Sequence, residues 1–232
     1  MKYRTILVLI MSLTFLRCSV YNNMQRNTSQ VPNIGSLGKV VHDGLNKEFV
    51  KIGEPNLDSR IQLGVRRLPF TKKTYGRFKK YMEAKGEQPT IKFSDSSNTI
   101  PFYYQIEILD DVNFTKNLNE DQKLLDYLKL DSKIKVLHEF KCVLDKELDA
   151  SLKNLNQLFL VEESGLLKLK SSDLKKIDMN QINIFDFDVA TICWNENVYG
   201  QVEVGLISVE GSCPKNTEKK ARKLETKTLL KL

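Results

Sequence analysis

Two aspartates on one segment are the residues whose types and spacing come nearest to catalysis. Asp186 and Asp188 fall in a stretch predicted to be a strand, where residues two apart share a face about 6.6 Å apart. Carboxylates at that separation serve as acid and base in hydrolases or bind a hard cation. The same alternation is typical of the solvent-facing half of a half-buried strand. In that interpretation the apolar positions of the strand face the core: Phe185, Phe187, Val189 and Cys193.

The cysteines allow a disulfide but no thiol catalysis. Apart from Cys18, the chain has Cys142, Cys193 and Cys213, which in an oxidising compartment allow one disulfide and one remaining thiol. The sequence leaves three alternatives open: a Cys193–Cys213 bond, a bond that uses Cys142, or three free thiols. The first requires the chain after Gly211 to fold back. Of these alternatives, we take Cys193 and Cys213 as the candidate disulfide.

A cysteine nucleophile would need a base, and the nearest histidine is His138. It lies four residues before Cys142 on a predicted strand, which separates the two by about 13 Å, too far for proton transfer. With 2 histidines in 232 residues, a histidine-rich metal site is not expected. The sequence therefore assigns no catalytic, cofactor-binding or metal-ligating residue, and it favours a protein that is not an enzyme.

The first eighteen residues carry the clearest signal. Lys2 and Arg4 precede the eleven-residue apolar run Ile6–Leu16, and Arg17 and Cys18 follow it. The run is too short to cross a membrane as a helix, which takes about 20 residues, and is typical of a secretory signal. No small-x-small cleavage site lies between Phe15 and Tyr21. This stretch resembles the signal peptide of bacterial lipoproteins, whose lipobox ends in a cysteine; no family is recognised for the rest of the chain.

The resemblance implies a location. Residues 1–17 would be a signal peptide, and Cys18 would become the mature N-terminus, modified with two or three acyl chains that hold it on a membrane. The polar residues 18–36 would be a flexible tether. We expect a protein of the bacterial cell envelope, lipid-anchored and facing the periplasm, since no acidic residue directly follows Cys18.

Charge is distributed unevenly along the chain and limits the partners. Residues 60–85 hold nine basic groups and one acidic group, whereas residues 86–214 hold 13 basic and 22 acidic groups. Residues 215–232 hold seven basic and two acidic groups. Such a dipolar body is not typical of a nucleic-acid-binding protein. We expect no nucleic-acid partner, and instead an envelope protein, anionic lipid or an anionic envelope polymer.

The elements that position these residues are predicted to form one α+β domain over residues 37–214. Alternation predicts strands at 61–68, 90–94, 100–109, 133–144, 157–161, 166–170, 184–194 and 198–209. Capping residues and spacing predict helices at 71–85, at 119–130, after Asp145, and as a short helix or turn at 172–176. The strands fall mostly in hairpins, which favours a largely antiparallel sheet with a few packed helices. Residues 215–232 form a basic amphipathic tail that could dock, stay disordered or contact lipid.

These observations support two hypotheses of different kinds. The first is a membrane-anchored envelope lipoprotein that binds a partner or serves a structural role. The alternative is a tethered hydrolase or carbohydrate-active enzyme that acts on envelope polymers through Asp186 and Asp188. The surroundings of these two carboxylates distinguish the hypotheses, because an enzyme would place them in a cleft with a further acid or a metal.

Overall fold

The computed structural model describes residues 33–43, 46–89, 91–94, 100–153, 157–172, 177 and 182–229. The predicted signal peptide, lipidation site Cys18 and most of the predicted tether lie outside these residues. Asn33–Leu232 forms one compact unit.

Nine strands and five helices make up the described fold. The strands are β1 Leu37–Asp43, β2 Asn46–Gly53, β3 Ile61–Pro69, β4 Phe102–Ile108, β5 Lys135–Leu144, β6 Leu158–Glu163, β7 Leu166–Ser171, β8 Ile182–Glu196 and β9 Val202–Ser208. The helices are α1 Lys72–Ala84, α2 Asp111–Glu120, α3 Gln122–Leu130, α4 Lys146–Lys153 and α5 Ala221–Leu229. The predicted mixed α+β class is therefore confirmed.

The strands form one curled antiparallel sheet in the order β2-β1-β5-β4-β3-β6-β7, with β8 on β5 and β9 on β8. Strand β5 is its centre. It pairs with β8 from Lys135 to Leu144, with β1 near Val136, and with β4 between Glu139 and Cys142. Since a strand has two edges, β1 and β4 share the edge opposite β8.

Two hydrophobic clusters hold the sheet to its helices. The larger cluster joins one face of the sheet to helices α2–α5, which contribute Phe114, Leu118, Leu125, Leu128, Leu148, Leu152, Ala221 and Leu224. The smaller cluster joins the other face to α1 through Phe70, Phe78, Met82, Tyr103, Val143 and Phe185. A sheet covered in this way buries apolar side chains on both faces, while its uncovered parts remain polar.

Helix α1 forms where the aromatic spacing and a capping residue predict it. The Thr71 hydroxyl accepts a hydrogen bond from the Thr74 backbone N–H at 3.1 Å, and the Thr71 N–H donates to the Thr74 hydroxyl at 2.8 Å. These reciprocal bonds satisfy two backbone donors that a helix start leaves unpaired. Phe78 and Met82 are buried on the inner face, so the lysines of the helix face outward.

The described fold extends beyond both ends of the predicted domain, which corrects the start of the domain and agrees with docking, one of the alternatives for the tail. Residues 33–36, predicted as tether, belong to the fold: Ile34 and Ser36 are fully buried, and the Gly35 N–H donates to the Leu137 carbonyl at 2.7 Å. In the predicted tail, α5 docks through Ala221 and Leu224 in the larger cluster. Apolar residues at helical spacing thus pack on the domain.

Three predicted elements differ from the structure or lie outside it. Residues 91–94 are not a strand. The helix predicted at 119–130 is α3, which begins after its cap Asp121 and not at Asn119. A separate helix that was not predicted, α2, precedes it and is capped by Asp110. Of the short helix predicted at 172–176, residues 173–176 lie outside the described residues.

Candidate functional site

The two candidate carboxylates lie beside the edge of α1, on the face of the sheet that this helix partly covers. Asp186 pairs in register with Lys141, and Asp188 with Glu139, on the neighbouring strand β5. A bulge puts one extra residue, Phe185, between the pairs Lys141–Asp186 and Cys142–Ile184. Phe185 consequently joins the smaller cluster on the same face as Asp186, which corrects the alternating pattern expected for this strand.

Each carboxylate is engaged by cations. The Lys141 ammonium lies 3.1 Å from an oxygen of Asp188 and 3.8 Å from an oxygen of Asp186. Arg77 of α1 donates to Asp186, and the Lys47 ammonium of β2 lies 3.4 Å from Asp188. Three cations from three elements therefore surround the pair.

A third acid completes this network. Glu139 lies 3.1 Å from the Lys141 ammonium and accepts a hydrogen bond of 2.6 Å from the Gln105 amide. Lys47 also donates to the Phe187 carbonyl at 2.7 Å and lies over the Phe187 ring. Three acids and three cations thus balance in charge across β2, β5, β8 and α1.

The electrostatics of the network favour the charged form of its members. Burial opposes ionisation of Asp188, but Lys141 and then Lys47 outweigh it and lower the pKa of that carboxyl. Burial likewise opposes the charged form of Lys141, but Glu139 and Asp188 raise its pKa above the ordinary value. A proton-transferring acid or base needs a pKa near the working pH, and these shifts move both groups away from it.

A polar cleft of about 400 Å³ lies elsewhere on the fold. Its lining is Asn56, Asp58, Asn117, Glu120, Asp121, Gln122 and Lys123, which includes neither candidate carboxylate. Several of these groups bond to one another or to backbone. The Asn117 amide oxygen accepts the Asp58 N–H at 2.7 Å, and the Asn56 amide donates to Asp121 at 2.9 Å. We interpret the cleft as the junction of α2, α3 and the loop before β3.

The described residues contain no cluster of three histidine, cysteine, aspartate or glutamate side chains placed to hold a metal ion. Glu139, Asp186 and Asp188 have a lysine among them instead.

The structure joins Cys193 to Cys213 by a disulfide, with 5.6 Å between their Cα atoms. The chain folds back after β9 as this bond requires, and Trp194 exchanges backbone hydrogen bonds with Glu218, both at 2.8 Å. Cys142 is a buried free thiol, and burial raises its pKa. A thiol held protonated in the core is a poor nucleophile.

His138 has a structural partner that the sequence did not indicate. Its Nε2 lies 3.0 Å from an Asp111 oxygen at the start of α2, and the histidine is buried. A bulge in β5 at this position accompanies the contact. This contact joins the sheet to the helix.

Helix α1 carries a basic surface. Lys72, Lys73, Lys79 and Lys80 occupy its exposed side; we call these four residues the lysine ring. They stand at positions −4, −3, +3 and +4 from Gly76, the positions that adjoin a residue on a helix surface. A Cβ added to Gly76 would meet no atom within 4 Å outside its own helix. The spacing of the lysines is visible in the sequence, whereas the open space at Gly76 follows only from the structure.

No family model, curated protein or solved structure matches this chain. Within the part of the chain that the structure describes, no helix has the length and apolar character needed to cross a membrane.

Proposed function

We propose that this protein is a lipid-anchored lipoprotein of the bacterial cell envelope whose α+β domain binds a partner rather than catalysing a reaction. The anchor is Cys18, at the end of the basic and apolar segment of residues 1–17. The domain stands off the membrane on the polar residues that follow. Its location is the membrane surface on the periplasmic side, and it needs no cofactor.

The observation that carries the binding role is the neutralisation of the candidate carboxylates. Asp186 and Asp188 are each engaged by cations, and neither lines the polar cleft. A hydrolase would need one of these acids to exchange a proton with substrate. Ion pairs that join β2, β5, β8 and α1 instead position the sheet against the helix, so the contacts support the binding role over the hydrolase alternative.

The disulfide supports export. Disulfides form and persist in oxidising compartments such as the periplasm and are rare in the cytosol. Cys193 and Cys213 are bonded while Cys142 remains buried in the core, a division expected of a domain that folds after export.

Fractionation of bacterial cells that express the full chain tests the anchor. The wild type should appear in the detergent-extracted membrane fraction, and Cys18→Ala should accumulate as unprocessed precursor. The matched control Cys142→Ala, which removes another thiol, should fractionate as the wild type. Arg17→Gly should mature faster, because lipoboxes carry a small residue at that position. Wild-type protein that fractionates as soluble, with an N-terminus beyond Cys18, would refute the anchor.

A further inference from the structure

The glycine within the lysine ring has no structural reason to be there. Gly76 lies inside a 13-residue helix, where glycine costs about 1 kcal/mol relative to alanine. Its φ is not positive, and a Cβ would enter open space. Neither backbone geometry nor packing in the fold therefore requires a glycine, and a further use for such a position is the close approach of a ligand to the backbone.

What surrounds the glycine indicates the charge of that ligand. All four helix-surface neighbours of Gly76 are lysines. The helix has one acid, Glu83, which lies 3.7 Å from Lys79 with both side chains 56% exposed, a pairing that contributes little. Lys73 and Lys80 are exposed on the same side. The arrangement leaves open space above Gly76 between four exposed lysines.

We propose that the lysine ring docks the domain onto the anionic phospholipid headgroups of a membrane, with Gly76 allowing a headgroup phosphate close to the helix. The ring lies on the outer face of a helix and not in a cleft, which suits a surface larger than the protein itself. Residues 60–85 carry nine basic groups against one acid, whereas residues 86–214 are net acidic. That dipole turns α1 towards an anionic surface.

The choice of a membrane as the partner of the lysine ring rests on the proposed anchor, which would hold the domain beside a bilayer. Docking itself does not require lipidation. It can therefore be measured on the full chain that carries Cys18→Ala, so that failure of the anchor and failure of docking are separate results. All variants share residues 1–32, whose contribution cancels when variants are compared.

The experiment is sedimentation with vesicles of phosphatidylglycerol and phosphatidylcholine, against vesicles of phosphatidylcholine alone. The Cys18→Ala chain should prefer the anionic vesicles, and added salt should weaken the preference. Lys73→Gln/Lys80→Gln should lower the partition coefficient about 30-fold, since each lysine near such a surface contributes about 1 kcal/mol. The control Lys116→Gln/Lys123→Gln makes the same change of charge elsewhere and should have a much smaller effect.

Substitution of Gly76 tests close approach without risk to the helix. Glutamine and alanine are both better helix formers than glycine, so neither variant should unfold α1, as circular dichroism would verify. Gly76→Ala should weaken binding slightly and Gly76→Gln should weaken it several-fold, because a longer side chain keeps the phosphate further from the helix. The proposal would be overturned if the two lysine double variants lost binding equally, or if Gly76→Gln bound as the wild type does. It would also be overturned if the protein bound soluble polyphosphate but not anionic vesicles.

Discussion

Reduction of the Cys193–Cys213 disulfide should destabilise the domain by an amount that the length of its loop sets. The two cysteines are 20 residues apart in sequence. Closing a loop of that length removes conformational entropy from the unfolded chain worth about 3 kcal/mol in the free energy of unfolding. The bond also ties the end of β8 to the segment before α5, where Trp194 pairs with Glu218.

The assay is unfolding in guanidinium chloride with and without a reductant, on the chain that carries Cys18→Ala so that this thiol cannot interfere. With a slope near 5 kcal/mol per molar, the upper end for guanidinium chloride, the midpoint should fall by about 0.6 M on reduction. Cys193→Ala/Cys213→Ala should unfold at one midpoint whether or not reductant is present.

Cys142→Ala is the matched control. It removes a buried thiol and lowers stability in both conditions, but the difference made by the reductant should remain. An unchanged midpoint for the reduced parent chain, or loss of the reductant effect in Cys142→Ala, would refute the assignment of the bond.

Three further predictions concern single side chains. Thr71→Ala should lower the free energy of unfolding by about 1 kcal/mol through loss of the helix cap, while Thr71→Ser should retain most of it, as denaturant unfolding would show. Phe114→Ala should cost about 3–5 kcal/mol in the same assay, because this ring is fully buried in the larger cluster. Bonds from Lys170 and Lys168 lower the pKa of Glu163 to about 2, so the stability it contributes is present above pH 4.5 and lost as pH falls through 2. A carboxyl titration by NMR with a midpoint near 4.5 would contradict the last prediction.

Local patterns in the sequence predict the elements that depend on local chemistry. The Thr71 cap and the spacing of Phe78 and Met82 predict α1 to within a residue, and alternation predicts β3 and β5 closely. The sequence predicts neither β1 nor β2, because the residues of this hairpin mix charged and apolar types without a regular alternation. Its position depends on pairing with β5 and on the contacts of Lys47 with β8.

The candidate site depends on contacts that no local pattern contains. Arg77 and Asp186 are 109 residues apart in sequence, and Lys47 reaches Asp188 from 141 residues away. The bulge at Phe185 also breaks the period of two on which the expected faces of β8 rest. The spacing of the two acids could therefore be predicted from the sequence, but the cations that neutralise them could not.

The most direct test of the proposed anchor and location is the mass of the mature chain. Wild-type protein should be extracted with detergent from bacterial membranes and measured by intact-mass and N-terminal peptide mass spectrometry. We predict a chain that begins at Cys18 and carries acyl chains on that residue. A mature N-terminus beyond Cys18, or an unmodified Cys18 within an uncleaved chain, would contradict the account.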